Sequence, residues 1–338
     1  MTSRRMTFQC LLATGLGVAI LILGAPSAAK AYGSPELEDP PVPKSLVPPG
    51  YRLVHGDILV PDVEARSGGA PIPWSDGIVY FEFDGNVTST NRQLMLSAMD
   101  EWNYSGADVQ FVPRTVGNGS FYVHIQLSDG NNAAIGMQGA GQTINIVSWG
   151  SKFIMAHELC HTLGFWHEQS RTDRDTFVDI ITSNIESGHE HNFDKEQNWL
   201  SQSTSYDFDS VMHYGQFTFT DCLIPTPGLC ETIVCRTGYE GWQWFIGQKD
   251  HLSSNDIQDM KNEYGSNSIG PRYIDWTVSP SAEDGSLRYP FRSFALAEAT
   301  APDNSEFWIR GGTYDELGTT ILDKPGTYRV HNGLVRVQ

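Results

Sequence analysis

The stretch HELCHTLGFWHEQ, residues 157 to 169, decides the reading of this chain. Three histidines and two glutamates fall within it, and Gly164 stands between the second and third histidine. On a helix, positions i and i+4 share a face, so His157 and His161 aim two imidazole nitrogens at one metal ion. Glu158 lies about 100° round the helix from His157, placed to hold a water beside that ion. A third ligand on the same straight helix would lie too far along the axis. Glycine takes positive φ without steric cost, so Gly164 is expected to end the helix and turn the chain back, bringing His167 to the metal from another side. Three histidines and an open position make a hydrolytic zinc site, unlike a closed structural one.

Zinc in such a site lowers the pKa of water towards neutrality and polarises a scissile carbonyl. Glu158 is then the base that takes the proton and passes it to the leaving amine. The pattern H-E-x-x-H-x-x-G-x-x-H arises by chance in a chain of this length with a probability on the order of 10⁻⁵ to 10⁻⁴. A merely structural histidine helix is set aside on that ground.

The chain around this stretch has 338 residues, 40% hydrophobic and 18% charged, a composition of folded protein. Its formal net charge of −18 argues against nucleic-acid binding, which needs a basic face. Arg4 and Arg5, the apolar run from Cys10 to Ala25 and Ala29-Lys30-Ala31 together read as a signal peptide, residues 1–31. A secreted, extracellular protein with no membrane span after signal removal is expected. Cys10 leaves with the signal, and Cys160, Cys222, Cys230 and Cys235 remain, with three pairings open. A short local loop, Cys222–Cys230, is the first choice. Cys160, between two histidines, reads equally as bridged or as a buried thiol.

Residues 32–50, rich in Pro as in SPELEDPPVPKSLVPPG, read as an extended linker. IVYFEF (78–83) predicts a strand, Thr88 to Trp102 a helix capped by Ser89 or Thr90, and VQFV, FYVHIQL and TINIVS further strands. A last helix is expected from Ser253 or Ser254, with Ile257, Met260 and Tyr264 at helical spacing, ending at Gly265. From Gly270 the chain turns to short strands, and a domain boundary is placed between Gly265 and Pro271.

HELCHTLGFWHEQSRTDRD (157–175), with Glu168 directly after the third histidine, resembles the metzincin metallopeptidases and, within them, the astacin family. SVMHYG (210–215) is similar to that family's Met-turn. The resemblance implies Met212 as an apolar floor beneath the zinc, and Tyr214 as a further metal ligand that swings away to stabilise the oxyanion. His213 reads as a non-ligand that fixes the turn. LVHGDILVPD (53–62) resembles the family's pro-segment motif, with Val54 where Phe is usual, and implies Asp57 as the zymogen switch on the zinc. IGMQGAGQTINIVS (135–148) resembles the edge strand above the cleft, where Ile135, Gly136 and Met137 pair antiparallel with substrate. Glu168 is implied to meet the new N-terminus after pro-segment removal, and Arg66 before Ser67 offers a trypsin-like cut. The stretch Asp221 to Cys235 departs from the family pattern.

The resemblance implies an α+β fold: a two-lobed metzincin-like zinc peptidase domain with a five-stranded mixed sheet and an active-site helix, plus a small C-terminal β-rich segment. The expected organisation is signal 1–31, pro-segment 32–69, catalytic domain 70–265 and C-terminal module 266–338, whose PFRSFALAEAT, GGTYDE and KPGTYRV resemble turns of parallel β-helices. The expected function is a secreted zinc endopeptidase made as a zymogen, with one Zn2+ per chain, protein or peptide substrates and an activating protease as partner. The alternative is an inactive or processing domain of an adhesive protein.

Overall fold

The computed structural model describes residues 42–62, 70–115, 119–200, 204–278, 282–314, 324–331 and 335–337. The signal peptide and the Arg66 cleavage point lie outside the described residues.

The chain opens with a hairpin, β1 (Tyr51–Val54) and β2 (Ile58–Pro61). Next come β3 (Ile78–Phe83), α1 (Ser89–Asn103), β4 (Gln110–Pro113), β5 (Tyr122–Leu127), β6 (Asn132–Ala134) and β7 (Ala140–Ile146). These strands form one mixed sheet in the order β1-β2-β6-β7-β5-β3-β4. The sheet has seven strands. Residues 70–265 supply the five strands expected, and the hairpin β1–β2 adds two at the edge, with β2 parallel to β6 through Ile58↔Ala133 and Leu59↔Ala134. Ile58 and Leu59 are buried, so the addition has apolar as well as backbone cause.

The helix α1 starts where Thr88 accepts a hydrogen bond from the Asn91 N–H at 3.2 Å, one residue before the expected cap. Its inner face carries Met95, Ala98, Met99 and Trp102, all fully buried. The Trp102 indole donates to the Ala156 carbonyl at 2.9 Å and so fixes α1 against α2 (Lys152–Thr162), the helix of the histidine motif. Thus the sheet and α1 form a floor for the motif.

The following lobe has little regular structure: β8 (Val178–Ile180) pairs with β9 (Ile233–Cys235), and α3 (Ser254–Tyr264) closes it. Its core is aromatic, built on Phe193, Tyr206, Phe208 and Tyr214. The N-terminus of α3 is a capping box between Ser253 and Asp256, and Gly265 ends it at φ 91°. Cys222 and Cys230 are bridged, whereas Cys160 and Cys235 are buried thiols.

Beyond α3 lie β10 (Pro271–Ile274), α4 (Phe294–Thr300), β11 (Ser305–Ile309), β12 (Gly312–Tyr314), β13 (Gly326–Val330) and β14 (Val335–Val337). Every pairing among these strands is parallel. They enclose a small core of their own around Phe291, Phe294 and Phe307, while Tyr273, Leu287 and Trp308 join the main core. The Tyr273 hydroxyl donates to the Phe111 carbonyl at 2.6 Å, and the Trp308 indole to Gln110 Oε1 at 2.7 Å. Among the described residues, no helix is long and apolar enough to cross a membrane.

Candidate metal centre and cleft

The helix α2 ends at Thr162, and Gly164 follows at φ 101°. A side chain there would be strained by the backbone and would place its Cβ 2.3 Å from Leu200 Cδ1. The turn is held from outside: the Trp74 indole donates to the Thr162 carbonyl at 2.8 Å, and the Tyr264 hydroxyl to that of Leu163 at 2.7 Å. Periodicity identifies Tyr264 as core-facing, but no local signal names its partner. Past the bend, His167 returns to α2.

The Nε2 atoms of His157, His161 and His167 converge at 3.1, 3.1 and 3.2 Å from one another. His157 Nδ1 lies 2.9 Å from the Val211 carbonyl, and His161 Nδ1 lies 2.7 Å from that of Phe165. A carbonyl only accepts, so those Nδ1 atoms carry the protons and the Nε2 lone pairs face one point. Burial pushes the His157 pKa down to about 4, and pushes that of His167 well down too, so both rings are neutral. Converging lone pairs repel unless a cation sits among them. Bonds of about 2.0–2.1 Å to a tetrahedral zinc put nitrogens about 3.3 Å apart, close to the spacing found. The donor set therefore fits zinc. Among the described residues, these histidines and Asp57 form the group able to hold a metal ion.

Asp57 enters from the tip of the β1–β2 hairpin, where His55 and Gly56 both have positive φ, 48° and 79°. Its carboxylate lies 3.3 Å from His157 Nε2, 3.6 Å from His161 Nε2 and 3.2 Å from His167 Nε2. It thus takes the side of the triad left open by the helix. Glu158, next to His157 in α2, is fully buried. Tyr214 packs with its ring 4.5 Å from the His167 ring and donates its hydroxyl to the His55 carbonyl. Sequence reading misses that partner.

Met212 is buried in the main core, and its carbonyl accepts from the Glu168 N–H at 3.0 Å. The turn around it is fixed by Asp256 on α3, which accepts from Ser210 Oγ at 2.6 Å and from the Val211 N–H at 2.9 Å. The same turn bonds His157, so α3 positions a ligand of α2 through the backbone of Val211. His213 points elsewhere: its Nε2 is 2.7 Å from the Tyr206 hydroxyl, and burial pushes its pKa to about 4. Glu168 accepts from the Asp207 N–H at 2.8 Å and lies 3.4 Å from Arg171. Burial pushes its carboxyl well above the usual range, against the pull of Arg171.

The strand β6, between β2 and β7, spans Asn132–Ala134, just before Ile135, Gly136 and Met137. The Ile135 N–H donates to the Leu59 carbonyl at 3.2 Å, but those of Gly136 and Met137 donate to His161 and Ile72 carbonyls at 2.9 and 2.7 Å. Gly136, at φ 61°, leads the chain off the strand path.

An α+β cleft with a three-histidine centre on a bent helix defines a metzincin-type zinc peptidase. This chain belongs to the astacin family: residues 70–265 match the family model for the Astacin peptidases. It is 37% identical to Tolloid-like protein 2 of Mus musculus over 227 residues, 66% of this chain and 22% of that protein. With Bone morphogenetic protein 1 of Xenopus laevis it shares 36% identity over 195 residues, 56% of this chain and 27% of that protein. The chain thus spans about a quarter of the length of these curated relatives. Among solved structures, High choriolytic enzyme 1, a hatching enzyme zinc-protease from Oryzias latipes, aligns with a TM-score of 0.52 and 26% identity, covering 61% of this chain and 98% of that one. Zinc is the family's metal, and the donor set here suits it.

Proposed function

We propose that this chain is a secreted zinc endopeptidase made as a zymogen, inhibited by its own Asp57 and acting on proteins or peptides. The observation that carries the reading is the Asp57 carboxylate at 3.2–3.6 Å from three convergent imidazoles. Zinc held by His157, His161 and His167 supplies Lewis acidity towards water and a peptide carbonyl. Glu158 takes the proton of the attacking water and delivers it to the leaving amine. Tyr214, released from His55, donates its hydroxyl to the developing oxyanion. Met212 supports the imidazoles from below, and Gly164 sets the approach of His167. The edge strand pairs with substrate through β6 and Ile135, once β2 has left. Glu168, buried against Arg171, is the partner for a new N-terminal amine after an activating protease cuts near Arg66.

The alternative, an inactive domain of an adhesive protein, predicts no dependence on Glu158. The test is cleavage of denatured casein by the zinc-loaded chain before and after limited trypsin treatment. Activity is expected only after treatment, lost in Glu158→Ala and with a chelator, and present before treatment in Asp57→Ala. Equal cleavage by treated wild type and Glu158→Ala would overturn the reading.

A further inference from the structure

The loop between Cys222 and Cys230 has no part in the reading above, yet it leads directly out of the cleft. Its base begins at Phe219, whose φ of 57° is a left-handed conformation that a bulky residue keeps only where its surroundings demand it. The Phe219 ring stacks on His189 at 4.9 Å and meets the Tyr214 ring at 5.8 Å. It also closes against the hairpin tip: a Cβ at Gly56 would lie 2.6 Å from Phe219 Cζ. The base is pinned. The Phe219 carbonyl accepts from the Glu186 N–H at 2.8 Å, Thr220 Oγ1 donates to the Cys230 carbonyl at 2.8 Å, and the Asn184 amide donates to the Leu229 and Glu231 carbonyls at 2.9 Å.

The tip, by contrast, is solvent-facing and apolar. Leu223 is 97% exposed, Ile224 76% and Leu229 72%. Single exposed aliphatics are ordinary, but three on one pinned, disulfide-closed turn mark a contact surface. No charged residue lies between the two cysteines, and no Lys or Arg lies between Thr204 and Cys235. A loop built to enter an anionic membrane carries basic residues beside its apolar ones. The flanking Asp221 and Glu231 are acidic.

The strand directions say which part of a bound polypeptide meets this loop. From Asp57, β2 runs parallel to β6 and away from the imidazoles. A substrate antiparallel to β6 runs towards the imidazoles along that edge, so its residues before the scissile bond lie there. Its residues after the bond then enter the space held by Gly56 and His55, beside Phe219. We propose that Leu223, Ile224 and Leu229 form an exosite for apolar side chains of a protein substrate on the C-terminal side of the cleaved bond. This rests on the peptidase reading and deepens it with a substrate class.

The test uses the zinc-loaded chain after removal of the pro-segment, and three quenched-fluorescence peptides with the same residues around the cleaved bond. One stops two residues after the bond, one is extended by Leu and Phe residues, and one is extended by Ser and Gly. Wild type is expected to prefer the apolar extension by about tenfold in kcat/KM, carried by KM. The combined variant Leu223→Ser, Ile224→Ser, Leu229→Ser is expected to lose that preference. The truncated peptide, too short to reach the loop, is the reference for folding and chemistry. A preference that survives in the variant, or is absent in wild type, overturns the exosite. Loop-dependent sedimentation with phosphatidylcholine vesicles, without any peptide preference, also overturns it and assigns the loop to lipid. Fluorescence anisotropy of the same peptides on the Glu158→Ala chain separates the two readings. Loop-dependent binding with no turnover in wild type would sink the peptidase reading alone.

Discussion

The Tyr214 hydroxyl donates to the backbone carbonyl of His55, two residues ahead of the Asp57 carboxylate that faces the three imidazoles. One hairpin tip therefore restrains both the metal-site opening and the phenol proposed to stabilise the oxyanion. Tyr214→Phe keeps the buried ring against His167 and removes only the donor. In the activated enzyme kcat is expected to fall about 10²–10³-fold with KM little changed. Steady-state kinetics on one short peptide checks this, and a matching rise in KM would move Tyr214 from chemistry to binding.

Gly164→Ala tests the bend. The substitution forces a β-carbon onto a backbone at φ 101° and against Leu200. Destabilisation of about 1–3 kcal/mol is expected. Because the bend delivers His167, zinc affinity should fall as well, by about 10–100-fold, as when a ligand's support is lost. Chelator competition and thermal unfolding read the two effects separately. Unchanged zinc affinity with a lowered Tm would show that His167 finds its place without the bend.

The centre is legible in the sequence because its information is local. The i, i+4 histidines, the following glycine and the third histidine lie within eleven residues, where helix geometry leaves few arrangements. The start of α3 is legible for the same reason. The two extra strands are not: HGD announces a turn, but nothing in residues 51–61 says which edge that turn joins. Gly136 reads as strand in the sequence, but β6 ends at Ala134 and Gly136 takes a positive φ. Long-range support is hidden altogether. Asp256 holding Val211, Tyr264 capping α2 and Trp308 meeting Gln110 each join residues far apart in the chain, with no periodic signature.

Trp308 asks whether the C-terminal segment folds with the catalytic region. Its ring is buried in the main core and its indole bonds Gln110. Trp308→Ala should cost about 3–5 kcal/mol, leaving Gln110 Oε1 short of a donor. If the two parts form one cooperative unit, calorimetry will show a single transition that moves down. Two transitions, with only the smaller displaced, would make the segment an independent module and support the boundary drawn near Gly265.

Asp100 makes the docking of that segment depend on pH. Its carboxylate on α1 accepts from the Leu287 N–H at 3.1 Å and the Arg288 N–H at 3.2 Å. Burial raises its pKa to about 7, against the pull of those two donors. A carboxyl whose folded pKa exceeds its unfolded value near 3.9 binds protons more tightly when folded. Its favourable share of stability is complete below pH about 4 and is lost as pH rises to about 7. At about 1.4 kcal/mol per unit, the loss is roughly 2–4 kcal/mol. Asp100→Asn removes the charge and keeps one oxygen, so it retains an acceptor for one of the two N–H groups, which bond different carboxylate oxygens. Urea denaturation across pH 4 to 8 should therefore show a falling stability in wild type and a flatter profile in Asp100→Asn. Parallel profiles would mean that Asp100 titrates normally and that water reaches it at the junction.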